Sequence, residues 1–345
     1  MSTSQGEASE QAAGPLGISS YRYATGWYCV AWADEIAKGQ VHKLHYFGQD
    51  LVCFRGESGS LSVLDPHCLH LGAHLGVGGH VAGDCIVCPW HGWHWNADGS
   101  HALVPYSQQK HRPGLRIRSW PVREWYGMLL VWHDRHRSPP SWEPPRVPEA
   151  ESGEFFALHP HSRMLHRIKA HPQMIVENAA DPYHVGPVHH GTATVTTSFS
   201  TSGHHLHATI QNLYGAGRAS TWLTPNGPVE ASITYDTYGL GIGFVRFPRE
   251  TLETVQITSH TPVDDTFTDY WFMQASRRDP GETGDQPVGR AARFLAVQQN
   301  LVTQDFPLWE NMCYLERPEF APEEARDYVE LRRWARKFYP PEKPG

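Results

Sequence analysis

Between residues 21 and 134 the apolar positions come in short runs cut by Gly and Asp, at 26–30, 51–55, 61–64 and 128–132. Many short runs with frequent turn residues predict a small all-β domain over 21–136. Residues 137–149, ending in the stretch RSPPSWEPPRVPE, carry five prolines. That composition predicts a stiff, extended linker and sets the domain boundary there. The pattern of the second domain, 150–345, is mixed. Residues 171–183 read as a helix, with Pro172 at its first position and the Gly186-Pro187 pair ending it. From 194 to 277 strands dominate, in β-branched and aromatic segments such as 232–238 and 268–274. Over 289–302 Phe294, Leu295, Val297 and Leu301 recur at roughly helical spacing, and Pro307 stops or kinks that helix. Residues 322–338 predict a last helix. The class is α+β, and no internal repeat is present.

Residues 1–20 are small and polar and read as a disordered tail without a signal-peptide apolar core. No apolar run approaches the length of a membrane span. The net charge of −7 argues against nucleic acid as a partner. Six cysteines in a chain of this size need no disulfide scaffold, so the protein is expected in the cytoplasm with reduced thiols. The 23 histidines invite metal, but most imidazoles in any chain serve hydrogen bonds or the surface.

Two short pairs stand out. Cys68-x-His70 and Cys88-x-x-His91 are separated by seventeen residues, each pair in a Gly- or Pro-containing turn. Two thiolates on one iron and two imidazoles on the other are the ligands of a Rieske [2Fe–2S] centre. Neutral imidazoles remove negative charge and raise the potential from about −400 mV toward roughly −150 to +300 mV. The rivals are a structural zinc site of the same four residues and a site or dithiol built on Cys85-x-x-Cys88. His67, His74, His80 and His94 crowd the region and read as surface or loop residues. Trp90, Trp93 and Trp95 read as packing around the centre. The segments HCLHLGAHLG and CPWHGWHW resemble the Rieske domain of bacterial oxygenases.

The second domain carries Asn178-x-x-Asp181-x-x-His184, followed five residues on by His189. Spacing puts Asp181 and His184 on one helix face, and the Gly186-Pro187 break turns His189 back toward His184. Two imidazoles and one carboxylate on one face of Fe(II) leave positions open for O₂. The carboxylate is open among Asp181, Asp305 and Glu310. Asn178 reads as an orienting residue and His190 as outlying.

The segment from Gln304 to Trp309 is similar to the late Gln-Asp-x-x-x-Trp stretch of ketosteroid 9α-hydroxylase oxygenases, which implies Asp305 as the third ligand. That resemblance runs from about residue 21 to 339, and also covers Tyr23 to Tyr28, Leu103 to Tyr106, Arg333-Trp334 and Phe338-Tyr339. It points to the ketosteroid 9α-hydroxylase and cholesterol 7-desaturase branch. Residues 194–246 match less clearly. The resemblance implies a catalytic domain with an antiparallel sheet around a long helix, of helix-grip (START-like) form. It implies a homotrimer in which Asp181 joins His184 to a cluster imidazole of the neighbouring subunit. Electrons would come from a separate NAD(P)H-dependent flavin and iron–sulfur reductase, directly or through a ferredoxin, since no Gly-x-Gly-x-x-Gly fingerprint is present here. The implied reaction is hydroxylation or desaturation of a large apolar substrate, a steroid or polycyclic terpenoid, with O₂. The competing readings are a Rieske electron carrier, which leaves the second His set without a use, and an oxygenase of smaller aromatic or secondary-metabolite substrates.

Overall fold

A computed structural model describes residues 23–191, 195–215 and 222–339. The tail expected over 1–20 lies outside the described residues.

Apart from one 3₁₀ turn (Ala33–Glu35), the first part is built of strands. In chain order they are β1 (Gly26–Trp32), β2 (Val41–Tyr46), β3 (Gln49–Arg55), β4 (Leu61–Leu64), β5 (His80–Ala82), β6 (Cys85–Val87), β7 (His94–Asn96), β8 (His101–Leu103), β9 (Ser119–Trp120), β10 (Val122–Trp125) and β11 (Met128–His133). They form three antiparallel sheets of order β1-β11-β10, β2-β3-β4-β9 and β5-β6-β7-β8. The third sheet is small, and the loops at its edge carry both Cys/His pairs.

After the proline-rich segment come α1 (Pro148–Glu151), β12 (Met164–Ile168), α2 (Pro172–Val176) and α3 (Val185–His189). Then follow β13 (Val195–Ser202), β14 (His205–Tyr214), β15 (Val229–Tyr238), β16 (Ile242–Phe247), β17 (Thr254–Pro262) and β18 (Thr268–Ser276). The chain closes with α4 (Gly289–Asn311) and α5 (Ala325–Ala335). Strands β12 to β18 make one antiparallel sheet of order β12-β18-β17-β16-β15-β14-β13. Its first strand, β12, lies between α1 and α2 and was not expected from the sequence.

Three expectations for the helices need correction. The helix foreseen over 171–183 is only α2 plus a 3₁₀ turn (Glu177–Ala180), and it ends at Asp181, whose φ of −116° and ψ of 85° are not helical. Pro182 is the reason, because a residue before proline is pushed out of the α region. Asp181 and His184 therefore do not share a helix face. Gly186-Pro187 does not end a helix but sits in the first turn of α3, where a missing N–H costs nothing. Helix α4 does not stop at 302: it runs 23 residues to Asn311 with Pro307 inside it. Proline removes one internal hydrogen bond, and burial of Phe306 and Trp309 against Ile168, Tyr270 and Phe272 offsets the loss.

The two parts share a core. Trp27, Tyr28, Trp32 and Leu129 pack with Phe244, Ile257, Trp271 and Met273 of the large sheet. Trp32 and Trp271 meet edge-to-face at 5.1 Å. The Cys29 amide donates to Ser259 Oγ at 3.0 Å. The proline-rich segment is tied to the same body, with Trp27 Nε1 donating to the Trp142 carbonyl at 2.8 Å and Trp125 Nε1 to that of Pro145 at 2.8 Å. Near the C-terminal end, the Thr25 amide donates to the Phe338 carbonyl at 2.7 Å.

His133, at the end of β11, is buried, stacks on Phe47 at 4.5 Å and donates through Nδ1 to the Ala24 carbonyl at 3.1 Å. Burial pushes its pKa down to about 4. The unfolded chain then binds a proton near pH 6.5 that the fold rejects, so stability falls as pH drops from about 6.5 toward 4. The expected slope from this group is at most about 1.4 kcal/mol per pH unit. Denaturant titrations at stepwise lower pH should show a shallower acid decline in His133→Gln than in the parent.

Candidate metal centres and the cavity beside them

The two cluster loops have one backbone design. In each, the Cys amide donates five residues ahead (Cys68 to the Ala73 carbonyl at 2.9 Å, Cys88 to that of Trp93 at 2.8 Å). In each, a glycine four residues on returns a bond to the Cys carbonyl, Gly72 at 2.9 Å and Gly92 at 3.0 Å. Both glycines take the left-handed conformation, with φ of 76° and 69°. The turns bring Cys68 with His70 and Cys88 with His91 to one place. The imidazoles of His70 and His91 lie 4.5 Å apart, edge to face. His70 also stacks flat on Trp93 at 4.7 Å, and Trp93 is held by a 3.0 Å bond from its Nε1 to the Tyr106 hydroxyl.

A metal cluster fits this cradle. His70 Nδ1 is buried with no hydrogen-bond partner among the described residues. Both sulfurs are buried and unpaired in disulfides. Burial pushes the Cys68 thiol up, with the nearby Cys88 adding to the effect, so holding it as thiolate requires a positive centre. Among the described residues, the sets of three or more donors within single-ion reach do not include these four side chains. That spread suits a two-iron group better than one zinc. Cys85 turns its thiol to Asn96 Oδ1 at 3.2 Å, which removes the Cys85-x-x-Cys88 reading. Trp93 and Trp95 pack as expected, but Trp90 does not: it is 67% exposed and covers His91 by stacking at 5.6 Å.

The second centre is assembled across 121 residues of chain. His184 stands just before α3, His189 ends it, and Asp305 lies inside α4, not at its end as expected. Their donor atoms lie within 4.8 Å of one another. The His184 and His189 rings meet edge-to-face at 5.3 Å, and His189 Nε2 is 3.2 Å from Asp305 Oδ1. Each imidazole is fixed through Nδ1, which donates to the Asp181 carbonyl at 2.6 Å in His184 and to Gln304 Oε1 at 3.0 Å in His189. Oxygen acceptors set the tautomer, so Nε2 of both rings keeps its lone pair for a metal. Burial lowers the His189 pKa, but the bonds to Asp305 and Gln304 outweigh it and the net shift is upward. A metal ion would take the place of that extra proton. Asn178 Nδ2 reaches Asp305 Oδ2 at 3.5 Å, as suits an orienting residue. Glu310 instead accepts from the Lys169 amide at 3.4 Å and is not part of the donor set.

Asp181 does not join the donor set. Its Oδ1 caps the amides of Tyr183 and His184 at 3.0 and 3.2 Å, and its Oδ2 is 3.5 Å from His184 Nδ1. Burial raises its pKa, but hydrogen bonds from His184 and Tyr328 bring it below the usual value, so it is ionised at neutral pH. Gln304 and Tyr328 contact the site, and the sequence reading did not assign them. Gln304 stood in the quoted segment, and nothing local marked Tyr328.

A cavity of about 350 Å³ opens from the triad into the space between α4 and the concave face of the large sheet. Ile175, Ile210, Ile233, Phe244, Phe294 and Leu301 give it an apolar wall, and His184, His189 and Asp305 form part of its lining. Burial keeps the phenols of Tyr235 and Tyr270 protonated beside it. A cluster that carries single electrons and an open-sided iron site facing an apolar chamber together define the terminal oxygenase of a Rieske non-haem iron system.

Known proteins agree. Residues 26–121 match the Rieske [2Fe-2S] domain family and residues 131–339 the 3-ketosteroid 9α-hydroxylase C-terminal domain family. The chain is 31% identical over 335 residues to a probable 3-ketosteroid-9-alpha-monooxygenase, oxygenase component, of Rhodococcus rhodochrous, covering 94% of this chain and 82% of that one. It is 28% identical to the cholesterol 7-desaturase nvd 1 of Ciona intestinalis, over 92% and 69% of the two chains. Crystal structures of dicamba monooxygenase bound to dicamba and of Pseudomonas putida CBB5 NdmA with caffeine share the fold, with TM-scores of 0.70 and 0.69. Their identities are 18% and 17%, and they cover 92% and 90% of this chain and 97% and 89% of their own. The chain belongs to the 3-ketosteroid 9α-hydroxylase oxygenase family. It is an oxygenase component with a Rieske [2Fe–2S] domain and a separate reductase as its electron source. Among the described residues no helix is long and apolar enough to cross a membrane.

The two loop glycines give a test of the cradle. A Cβ on Gly72 meets nothing within 4 Å, whereas one on Gly92 would come 3.2 Å from Pro105 Cγ. Gly72→Ala should cost about 1–2 kcal/mol of backbone strain, and Gly92→Ala more. Thermal unfolding followed at the cluster's visible absorption should rank parent above Gly72→Ala above Gly92→Ala.

Proposed function

We propose that this oxygenase inserts one atom of O₂ into a C–H bond of a large apolar substrate of steroid or polycyclic terpenoid type. The observation that carries the reading is the apolar cavity of about 350 Å³ ending at His184, His189 and Asp305. That volume lies within the range of ligand pockets, toward its lower end. The names of its relatives favour a steroid.

In this reading Cys68 and Cys88 hold one iron of the cluster, His70 and His91 the other, and His184, His189 and Asp305 hold the mononuclear iron. Bound there, the two groups supply single electrons and a place to activate O₂. The other oxygen atom leaves as water, with two electrons and two protons taken up. The protein's own part is to exclude water with the apolar wall, to fix both imidazoles through Asp181 and Gln304, and to steady Asp305 with Asn178. Residues 21–136 act as the cluster domain and 150–345 as the iron domain, joined through 137–149. The working unit is a homotrimer in which ionised Asp181 links His184 to a cluster imidazole of the next subunit. Exposed apolar side chains support such a contact on both sides: Leu69, Leu71 and Trp90 on the cluster loops, and Tyr183 next to Asp181. Electrons reach the cluster from the NAD(P)H-dependent reductase directly or through a ferredoxin. Six cysteines without disulfides support a reducing compartment, the cytoplasm.

The test is turnover of a panel of 3-ketosteroids, sterols, polycyclic terpenoids and small aromatic acids with a surrogate reductase. A hydroxylated or desaturated polycyclic product is expected, and oxidation of the small aromatics alone would contradict the reading. Asp181→Asn should keep both metal centres, because the backbone carbonyl that holds His184 Nδ1 stays, and lower steady-state turnover about 10- to 100-fold, because the ionised carboxylate beside His184 is lost. Single-turnover kinetics with a pre-reduced cluster would place that loss in electron transfer if the decay of the cluster signal slows in step.

A further inference from the structure

On the opposite face of the large sheet lies a second convergence of donors. Alternate residues of β14 and β15 face opposite ways. Ile210, Ile233 and Tyr235 line the cavity, so His205, His207 and Asp236 project outward. His207 and Asp236 are directly paired across the two strands, and His205 is two residues along the same face. His205 Nε2 and His207 Nδ1 both lie 2.8 Å from Asp236 Oδ1. The three donor atoms are within 4.8 Å of one another. Tetrahedral zinc, with bonds of about 2.0–2.1 Å, needs donors about 3.4 Å apart, so a small outward shift of the side chains accommodates an ion.

We propose that His205, His207 and Asp236 form a site for a zinc-class divalent ion, separate from the iron centre, that pins β14 to β15. The strand pair supplies three ligands and leaves the fourth position to water, since the imidazoles are about one-third exposed. His207 Nε2 is 3.2 Å from Thr209 Oγ1, which accepts the hydrogen bond of the Nε2–H that remains when Nδ1 binds metal. Charge also suits a cation. Arg246 bridges Asp236 Oδ2 at 3.1 Å and Glu149 at 2.6 Å, so two carboxylates surround one guanidinium. Glu149 Oε2 is buried without a hydrogen-bond partner among the described residues. The cluster carries a net negative charge that a divalent ion reverses rather than adds to.

Equilibrium dialysis of the iron-loaded enzyme against micromolar zinc, with metal analysis of the retained protein, tests this. Wild type should retain about one zinc per chain, His189→Ala should still retain a zinc, and His205→Ala/His207→Ala should lose it while keeping cluster absorption and turnover. Thr209→Val should weaken zinc binding about tenfold. Equal zinc in wild type and the double variant, or loss of zinc in His189→Ala alone, would overturn the proposal. If the double variant does not fold, cobalt added to the iron-loaded wild type decides. A new tetrahedral visible band with a raised melting temperature supports the site, and the absence of both refutes it.

Discussion

A seven-stranded sheet must cover its apolar inner face, and here α4 does so together with α2, whose Ile175 packs beside Phe306 and Trp309 on Ile168, Tyr270 and Phe272. Between the helices and the sheet a gap remains, which is the cavity. Helix α4 also supplies Phe294 and Leu301 to the wall, Asp305 to the triad and Gln304 to orient His189. Its passage through Pro307 matters for this reason. A helix ending at 302 would leave Asp305 in a loop, with nothing to set its direction. Burial of Phe306 and Trp309 carries the helix on past the proline, and Asp305 stands against the imidazoles.

The imidazoles are prepared before any metal arrives. A carbonyl and an amide oxygen claim the two Nδ1 protons, so both Nε2 lone pairs are left facing Asp305. The break at Asp181-Pro182 contributes to this. Because Asp181 leaves the helical conformation, its carbonyl turns to His184 and its carboxylate caps the next turn. Had the chain continued as one helix to Tyr183, that carbonyl would have been spent on an internal bond. The shared aromatic core under Trp27, Trp32 and Trp271 joins the first two sheets to the iron-bearing sheet, and the cluster loops pack in turn on Val52, Phe54 and Leu64 of β3 and β4.

Some of this was legible in the sequence and some was not. The Cys/His pairs are local, and a turn of five residues suffices to aim them, so their spacing alone identified them. The two imidazoles His184 and His189 are equally local. Asp305 is not, because what brings it to them is the packing of a helix across a sheet, and no spacing encodes that; only resemblance singled it out from Glu310. The helix errors come from weighing prolines by pattern alone. Asp181 leaves the helix because Pro182 follows it, Pro187 is absorbed by the first turn of α3, and α4 continues through Pro307 because burial of Phe306 and Trp309 offsets the lost bond. Trp90 was misread because composition cannot tell a tryptophan that fills a core from one that lids an imidazole. Tyr328 reaches Asp181 from 147 residues away, with no pattern around it to signal the contact.

The central claim is that one chain holds two separate metal centres with the ligands named. Iron and acid-labile sulfide, measured on anaerobically purified wild type and Asp305→Ala, test it most directly. The account predicts about three irons and two sulfides per chain in wild type, and about two irons with two sulfides in the variant, with the reduced cluster's EPR signal unchanged. Zinc without sulfide in wild type would contradict the cluster, and equal iron in the two proteins would contradict the triad.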